Sequence, residues 1–400
     1  MSQLSVPYVA FPEQVSKLKT ELMQAFENVL VSGQYVLGEK GKLFEKEFSA
    51  FCNAKYAIGV ANGTDALHLT LKCIGVEPGD EVITAPNSFI ASAGSIGVLG
   101  AKPVFVDVES DMNMDPNQLE KVITPRTKAI MPVHIAGNPA DLDKICAIGK
   151  KHGIAIVEDA AQAHGSEWNG KKVGAIGLGG IFSFQTSKNM SAGEGGAIIT
   201  NDDDFKEACF SYHNCGRVSG GEWYEHQHLG GNFRLNALAA SMLMPQLDSI
   251  GTDMDLRDTN KQRLDDTLAE IDGIELTGSY EQTTRSAQHL YIVKYKKDAF
   301  NGIHRDVFFK AMQVEGVYTY AGYSPLYREK LFVTDPDEYP WLKNRDYASL
   351  SLPVTERICD EESVWLQQRH LLGNEDDIQD IVDAFIKVTT ALKNEPELFR

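Results

Sequence analysis

The sequence predicts an α/β protein built on a mostly parallel sheet, followed by a smaller α+β unit. Three observations carry that prediction. Short apolar runs alternate with helix-spaced segments from about residue 55 to 200. Those runs lack polar alternation, which is the pattern of strands covered on both faces. The alternation ends near residue 235, where long helical spacing takes over.

In chain order, the strand candidates are KYAIGV (55–60), EVITA (81–85), KPVFVDV (102–108), KAIMPV (128–133) and IAIVEDA (154–160). Between them, GTDALHLTLKCIGV (63–76) and NPADLDKICAIGKKHG (138–153) carry helical apolar spacing. Gly153 is a helix stop for the second. Alternating β and α segments build an α/β layer. IFSF (181–184) and the tail of GEGGAIIT (193–200) read as two further strands. Residues 235–272 then read as a long helical stretch, broken or kinked at Pro245. QHLYIVKYK (288–296), a helix over 305–316, a Tyr-rich loop (318–328) and a closing helix over 377–393 complete the second unit.

Four hundred residues exceed one ordinary core, so two domains are expected, 1–245 and 246–400. A helix over 13–33 can pack with either. The net charge of −18 argues against nucleic acid, whose phosphates need a basic face. It fits a protein with small-molecule partners. The six cysteines are dispersed without a CxxC pair, which points to a reducing compartment. The first residues show no basic-then-apolar leader, and no run of eighteen apolar residues offers a membrane span. The cytoplasm is the expected location.

Three motifs carry chemistry. Lys188 lies in FSFQTSKNMSAGEGGAIIT (182–200), between a strand and a glycine turn. A lysine held there can be desolvated enough to act as an amine nucleophile on a carbonyl. Read alone, it is equally a solvated hairpin lysine. Asp159 ends the apolar run IAIVED, with Gln162 following. Such an acid often caps or binds a cation; in a pyridoxal phosphate site it pairs with the ring nitrogen and makes the ring an electron sink. Gly63, Thr64 and Asp65 open a helix after a strand, and a helix start offers N–H groups to an anion. Thr and Asp are also ordinary caps. Ser183, between two phenylalanines, is a second candidate phosphate ligand. The glycine runs GLGGIF and GEGGAI do not complete GxGxxG before a helix, and HQH at 226–228 has no partner cluster with metal spacing. No metal is expected.

Together, FSFQTSKNMSAGEGGAIIT, EDAAQAHG, NGTDALHL and GGNFRLNALAASMLMPQL resemble the DegT–StrS family of pyridoxal phosphate-dependent aminotransferases. FSFQ..K, HNCGR and VWLQQRHLL look most like the branch with scyllo-inosose aminotransferases and 3-amino-5-hydroxybenzoate synthase. The resemblance implies fold type I: a large domain on a mainly parallel seven-stranded sheet, a small C-terminal domain, and a homodimer with shared active sites. It implies pyridoxal 5'-phosphate as cofactor. Lys188 matches the Schiff-base lysine, Asp159 the ring-nitrogen partner and Gln162 the glutamine near the ring hydroxyl. Gly63, Thr64 and Ser183 match phosphate ligands, with Asp65 beside them. Asn232 matches an asparagine reaching the phosphate from the other subunit, and Phe89 the aromatic stacked on the ring. The family usually has Thr where this chain has Ser88. His213, Arg217, Tyr320 and Tyr323 are candidate substrate contacts, or else interface packing.

The implied reaction is ping-pong amino transfer from glutamate or glutamine to a keto-sugar, nucleotide-linked keto-sugar or keto-cyclitol. Relatives with histidine for the lysine act as dehydratases, so Lys188 favours transamination. Two alternatives stand beside it: a dehydratase or lyase of the same fold, and a non-catalytic regulator on this scaffold.

Overall fold

A computed structural model of the chain describes residues 16–333 and 346–399. The first three residues of the expected N-terminal helix, 13–15, lie outside the described residues. The strands are β1 (Tyr56–Val60), β2 (Glu81–Thr84), β3 (Lys102–Phe105), β4 (Thr127–Met131), β5 (Ala155–Asp159), β6 (Glu167–Trp168), β7 (Lys171–Lys172), β8 (Gly179–Ser183) and β9 (Gly196–Thr200). After the long helix come β10 (Ile274–Leu276), β11 (Thr283–Arg285), β12 (Leu290–Tyr295) and β13 (Ser363–Gln367).

Seven strands form the central sheet in the order β1-β9-β8-β5-β4-β2-β3. The pairs β3·β2, β2·β4, β4·β5 and β5·β8 are parallel. β9 runs against both β8 and β1, so six strands share one direction and one opposes them. The sheet is therefore mainly parallel, as expected. Its strands are buried almost throughout, which explains why they read as unbroken apolar runs.

Several helices start where a short polar side chain caps them. Asn62 opens Gly63–Cys73, Asp141 opens Leu142–His152, and Asn236 opens Ala237–Leu268. Leu142–His152 stops at Gly153 in the left-handed conformation. On one face of the sheet, Phe44, Phe48, Phe182 and Phe184 pack edge to face or stacked and are nearly inaccessible. Each such buried ring contributes about 2 kcal/mol of apolar burial.

Helix Ala237–Leu268 runs on through Pro245 as a single helical span, rather than breaking there. Its Ala240, Leu243 and Met254 pack in the core that holds the phenylalanine cluster. Its Leu264 and Leu268 pack in a second core, around the sheet β10-β12-β13 and helix Glu375–Asn394. Helix Lys19–Ser32 packs against this same long helix while leaving Met23, Leu30 and Val31 exposed. No helix among the described residues is long and apolar enough to cross a membrane.

Candidate active site

The carboxyl ends of β5 and β8 deliver Asp159 and Ser183 to one crevice, where open α/β sheets bind ligands. A cavity of about 740 Å³ opens there. Gly63, Thr64, Asp65, Phe89, Gln162 and Lys188 line it with those two residues. Tyr323 reaches it from the segment after helix Arg305–Val314. These residues span more than 250 positions of sequence, so only the fold brings them together.

The floor is Asp159, nine-tenths or more buried. Its Oδ1 accepts from the Ala161 N–H at 3.2 Å and its Oδ2 from the Ser92 hydroxyl at 2.8 Å. Burial pushes this carboxyl up, and the Ser92 hydroxyl is the largest of the opposing effects. Lys188 opens onto the cavity but is otherwise enclosed by protein. Burial lowers its amine to about 8, and the Asp159 carboxylate partly opposes that shift. His164 and His289 flank it with low basicity; burial is the main cause and the lysine's charge adds to it. The sequence reading assigned no role to either histidine.

One wall is the start of helix Gly63–Cys73. Asn62 Oδ1 accepts the Asp65 N–H at 2.8 Å, and Asn62 Nδ2 donates to Asp65 Oδ2 at 2.8 Å. Asp65 is thus engaged in the cap, while the helix geometry leaves the Gly63 and Thr64 N–H groups without intrahelical acceptors. Gly63 lies against β8: a Cβ there would come 2.7 Å from Ser183 Cβ and 3.0 Å from its Oγ. Only glycine lets the helix start and the Ser183 hydroxyl share one corner. That corner, with N–H groups and two hydroxyls, suits a phosphate. Asn62, the actual cap, was not singled out from sequence, although an Asn just before a helix start is a readable signal.

Phe89 caps helix Ile90–Gly97 and presents an exposed ring to the cavity, as a stacking face would require. Gln162 Oε1 accepts the Ala136 N–H at 2.7 Å, and its Nε2 donates to the Tyr323 hydroxyl at 3.2 Å. Tyr320 lines a side chamber of about 130 Å³ that also touches Lys188, Tyr323 and His289.

Three expected residues stand apart from this cavity. Asn232 is exposed and bridges to Asn214. His213 is buried, with Nδ1 2.7 Å from the Phe210 carbonyl. Arg217 lies over the exposed Trp223 ring.

The donor set suits pyridoxal phosphate part by part: an anion corner, an aromatic face, a buried carboxylate and a lysine of lowered basicity. Comparison with known proteins agrees. The family model described as the DegT/DnrJ/EryC1/StrS aminotransferase family matches residues 16–386. The chain is 36% identical over 374 residues to a "Pleiotropic regulatory protein" of Geobacillus stearothermophilus, covering 92% of this chain and 98% of that protein. It is 37% identical over 361 residues to a "Putative L-glutamine:3-amino-2,3-dideoxy-scyllo-inosose aminotransferase" of Streptomyces kanamyceticus, covering 88% and 86%. The solved structure of 3-amino-5-hydroxybenzoic acid synthase superposes with a TM-score of 0.85 at 32% identity, covering 93% of this chain and 96% of that one. The chain therefore belongs to the DegT/DnrJ/EryC1/StrS family and is a pyridoxal phosphate-dependent aminotransferase.

Proposed function

We propose that this enzyme moves an amino group from glutamine or glutamate to a ketone on a sugar, a nucleotide-linked sugar or a cyclitol. The observation that carries the reading is the convergence of Lys188, Asp159 and the Gly63–Ser183 corner on one cavity. The similarity to an inosose aminotransferase supports the acceptor class.

In this reading Gly63, Thr64 and Ser183 hold the cofactor's phosphate, with Asp65 fixing the helix start. Phe89 covers the ring, Gln162 meets its hydroxyl and Asp159 holds a proton at its nitrogen. When bound, pyridoxal phosphate supplies an electron sink for the bond broken at the donor's Cα. Lys188 holds the cofactor at rest through its amine. With the donor in place, that amine would lift the donor's Cα proton, and in the second half-reaction it would deliver one to the acceptor's former carbonyl carbon. A lowered basicity suits both tasks. Tyr323, which meets Gln162, and Tyr320 in the side chamber serve the substrate side.

The working unit in this reading is a homodimer in the cytoplasm. Asn232 lies away from its own cavity, which fits service to a second copy, and the exposed apolar side chains of helix Lys19–Ser32 and Trp223 offer surface for contact. Arg217, over the Trp223 ring, belongs with that surface, whereas His213 is buried within its own subunit. All six cysteines are free, in keeping with a reducing compartment. We place the division between two units near residue 245, within the long helix, which packs in both cores.

A donor and acceptor panel read by mass spectrometry tests the reading. Incubation with glutamine or glutamate should convert the bound cofactor to its amine form, and a keto-cyclitol or keto-sugar should convert it back. Failure of every amino acid to do so would favour a lyase or a regulator; similarity to a pleiotropic regulatory protein keeps the latter worth testing.

A further inference from the structure

We propose that Ser88 and Ser92 form a hydroxyl relay that positions Asp159 and holds it ionised against its burial. This rests on the assignment of Asp159 to the cofactor's ring nitrogen. Both serines are almost inaccessible and border the cavity. The Ser92 hydroxyl donates to Asp159 Oδ2 at 2.8 Å. Its single hydrogen is thereby committed, so in the 2.8 Å contact between the two hydroxyls Ser88 must be the donor. The direction is fixed: Ser88 to Ser92 to the carboxylate.

Each link polarises the next toward the negative charge. Ser92 also sits in helix Ile90–Gly97, so its hydroxyl is held by secondary structure rather than a loop. The other carboxylate oxygen accepts from the Ala161 N–H at 3.2 Å, a longer bond. Burial alone would favour the neutral acid, which could not hold a proton on a ring nitrogen. The relay supplies the largest of the opposing effects from within the protein, and the Ala161 N–H, Lys188 and His134 add smaller ones. It also gives a use to Ser88, whose hydroxyl has no donor to spare for anything else.

The test compares cofactor-loaded wild type, Ser92→Ala, Ser92→Thr and Ser88→Ala. Two signals are read: the ¹⁵N chemical shift of the cofactor's ring nitrogen, and the pH titration of the visible chromophore. In Ser92→Ala the nitrogen signal should move toward its deprotonated position, and the titration midpoint should shift by about one pH unit, the scale of one hydrogen bond to a charge. Ser92→Thr keeps the hydroxyl and should restore both signals. Ser88→Ala should move them the same way by less, and it carries the test if Ser92→Ala does not fold. Cofactor-loaded variants with the wild-type ¹⁵N shift would overturn the relay alone. A wild-type protein that takes up no cofactor would overturn the relay together with the cofactor assignment beneath it.

Discussion

Lys188 and Asp159 border one cavity, and burial moves their proton affinities toward each other: the lysine falls to about 8 while the carboxyl rises, each charge partly opposing the other's shift. Only the neutral amine attacks an aldehyde. Because the lysine's value is lowered, its neutral form becomes available at a lower pH than for an ordinary lysine. Cofactor capture by the apoprotein should therefore speed up as pH rises and level off above about 8. Stopped-flow absorbance on addition of pyridoxal phosphate measures this. A rate still climbing toward the ordinary lysine value of 10.5 would contradict it.

Removing the amine separates holding the cofactor from using it. Lys188→Ala should lose at least about a hundredfold in turnover, the usual contribution of a positioned acid–base group. The phosphate corner and Asp159 remain, so the variant should still retain cofactor without a covalent link. Borohydride treatment followed by peptide mass spectrometry should label Lys188 in wild type and nothing in the variant. Label on another lysine would displace Lys188 from its role.

The close approach of Gly63 to Ser183 makes a steric prediction. Gly63→Ala places a methyl group 2.7 Å from Ser183 Cβ, so the helix start or the strand end must shift. Overpacking of this kind costs about 1–3 kcal/mol. Part of it should appear as weaker cofactor binding, about tenfold or more, in equilibrium dialysis of the apoprotein. Unchanged affinity would mean that the phosphate does not sit in this corner.

The strands before the site were legible because buried parallel strands leave unbroken apolar runs, and β1 to β5 follow them closely. The reversal of β9 was not, since a strand buried on both faces reads alike in either direction. Lys188 and Asp159 stood out by residue type at strand ends. Ser92 did not, because a serine in an apolar helix carries no sign of its partner 67 positions on. Pro245 suggested a break, yet one core grips the helix on both sides of it and a second core grips its far end, and tertiary packing overrides the local cost. His213 closes helix Asp203–His213 and faces inward, and the place of Arg217 depended on how the segment after that helix folds, which composition does not encode.

Asn232 carries the last prediction. It lies off its own cavity, on exposed backbone bridged to Asn214. If it completes a phosphate site in a second copy, a subunit lacking Lys188 and a subunit lacking Asn232 should complement each other. Random pairing of equal amounts puts half the subunits in hybrids, each with one intact site of two, so about a quarter of wild-type activity should return. Lys188→Ala and Asn232→Ala chains, co-expressed with different affinity tags, provide the mixture. Each variant alone should be poorly active. Activity in the doubly purified hybrid that stays at the level of the single variants would place Asn232 outside any shared site.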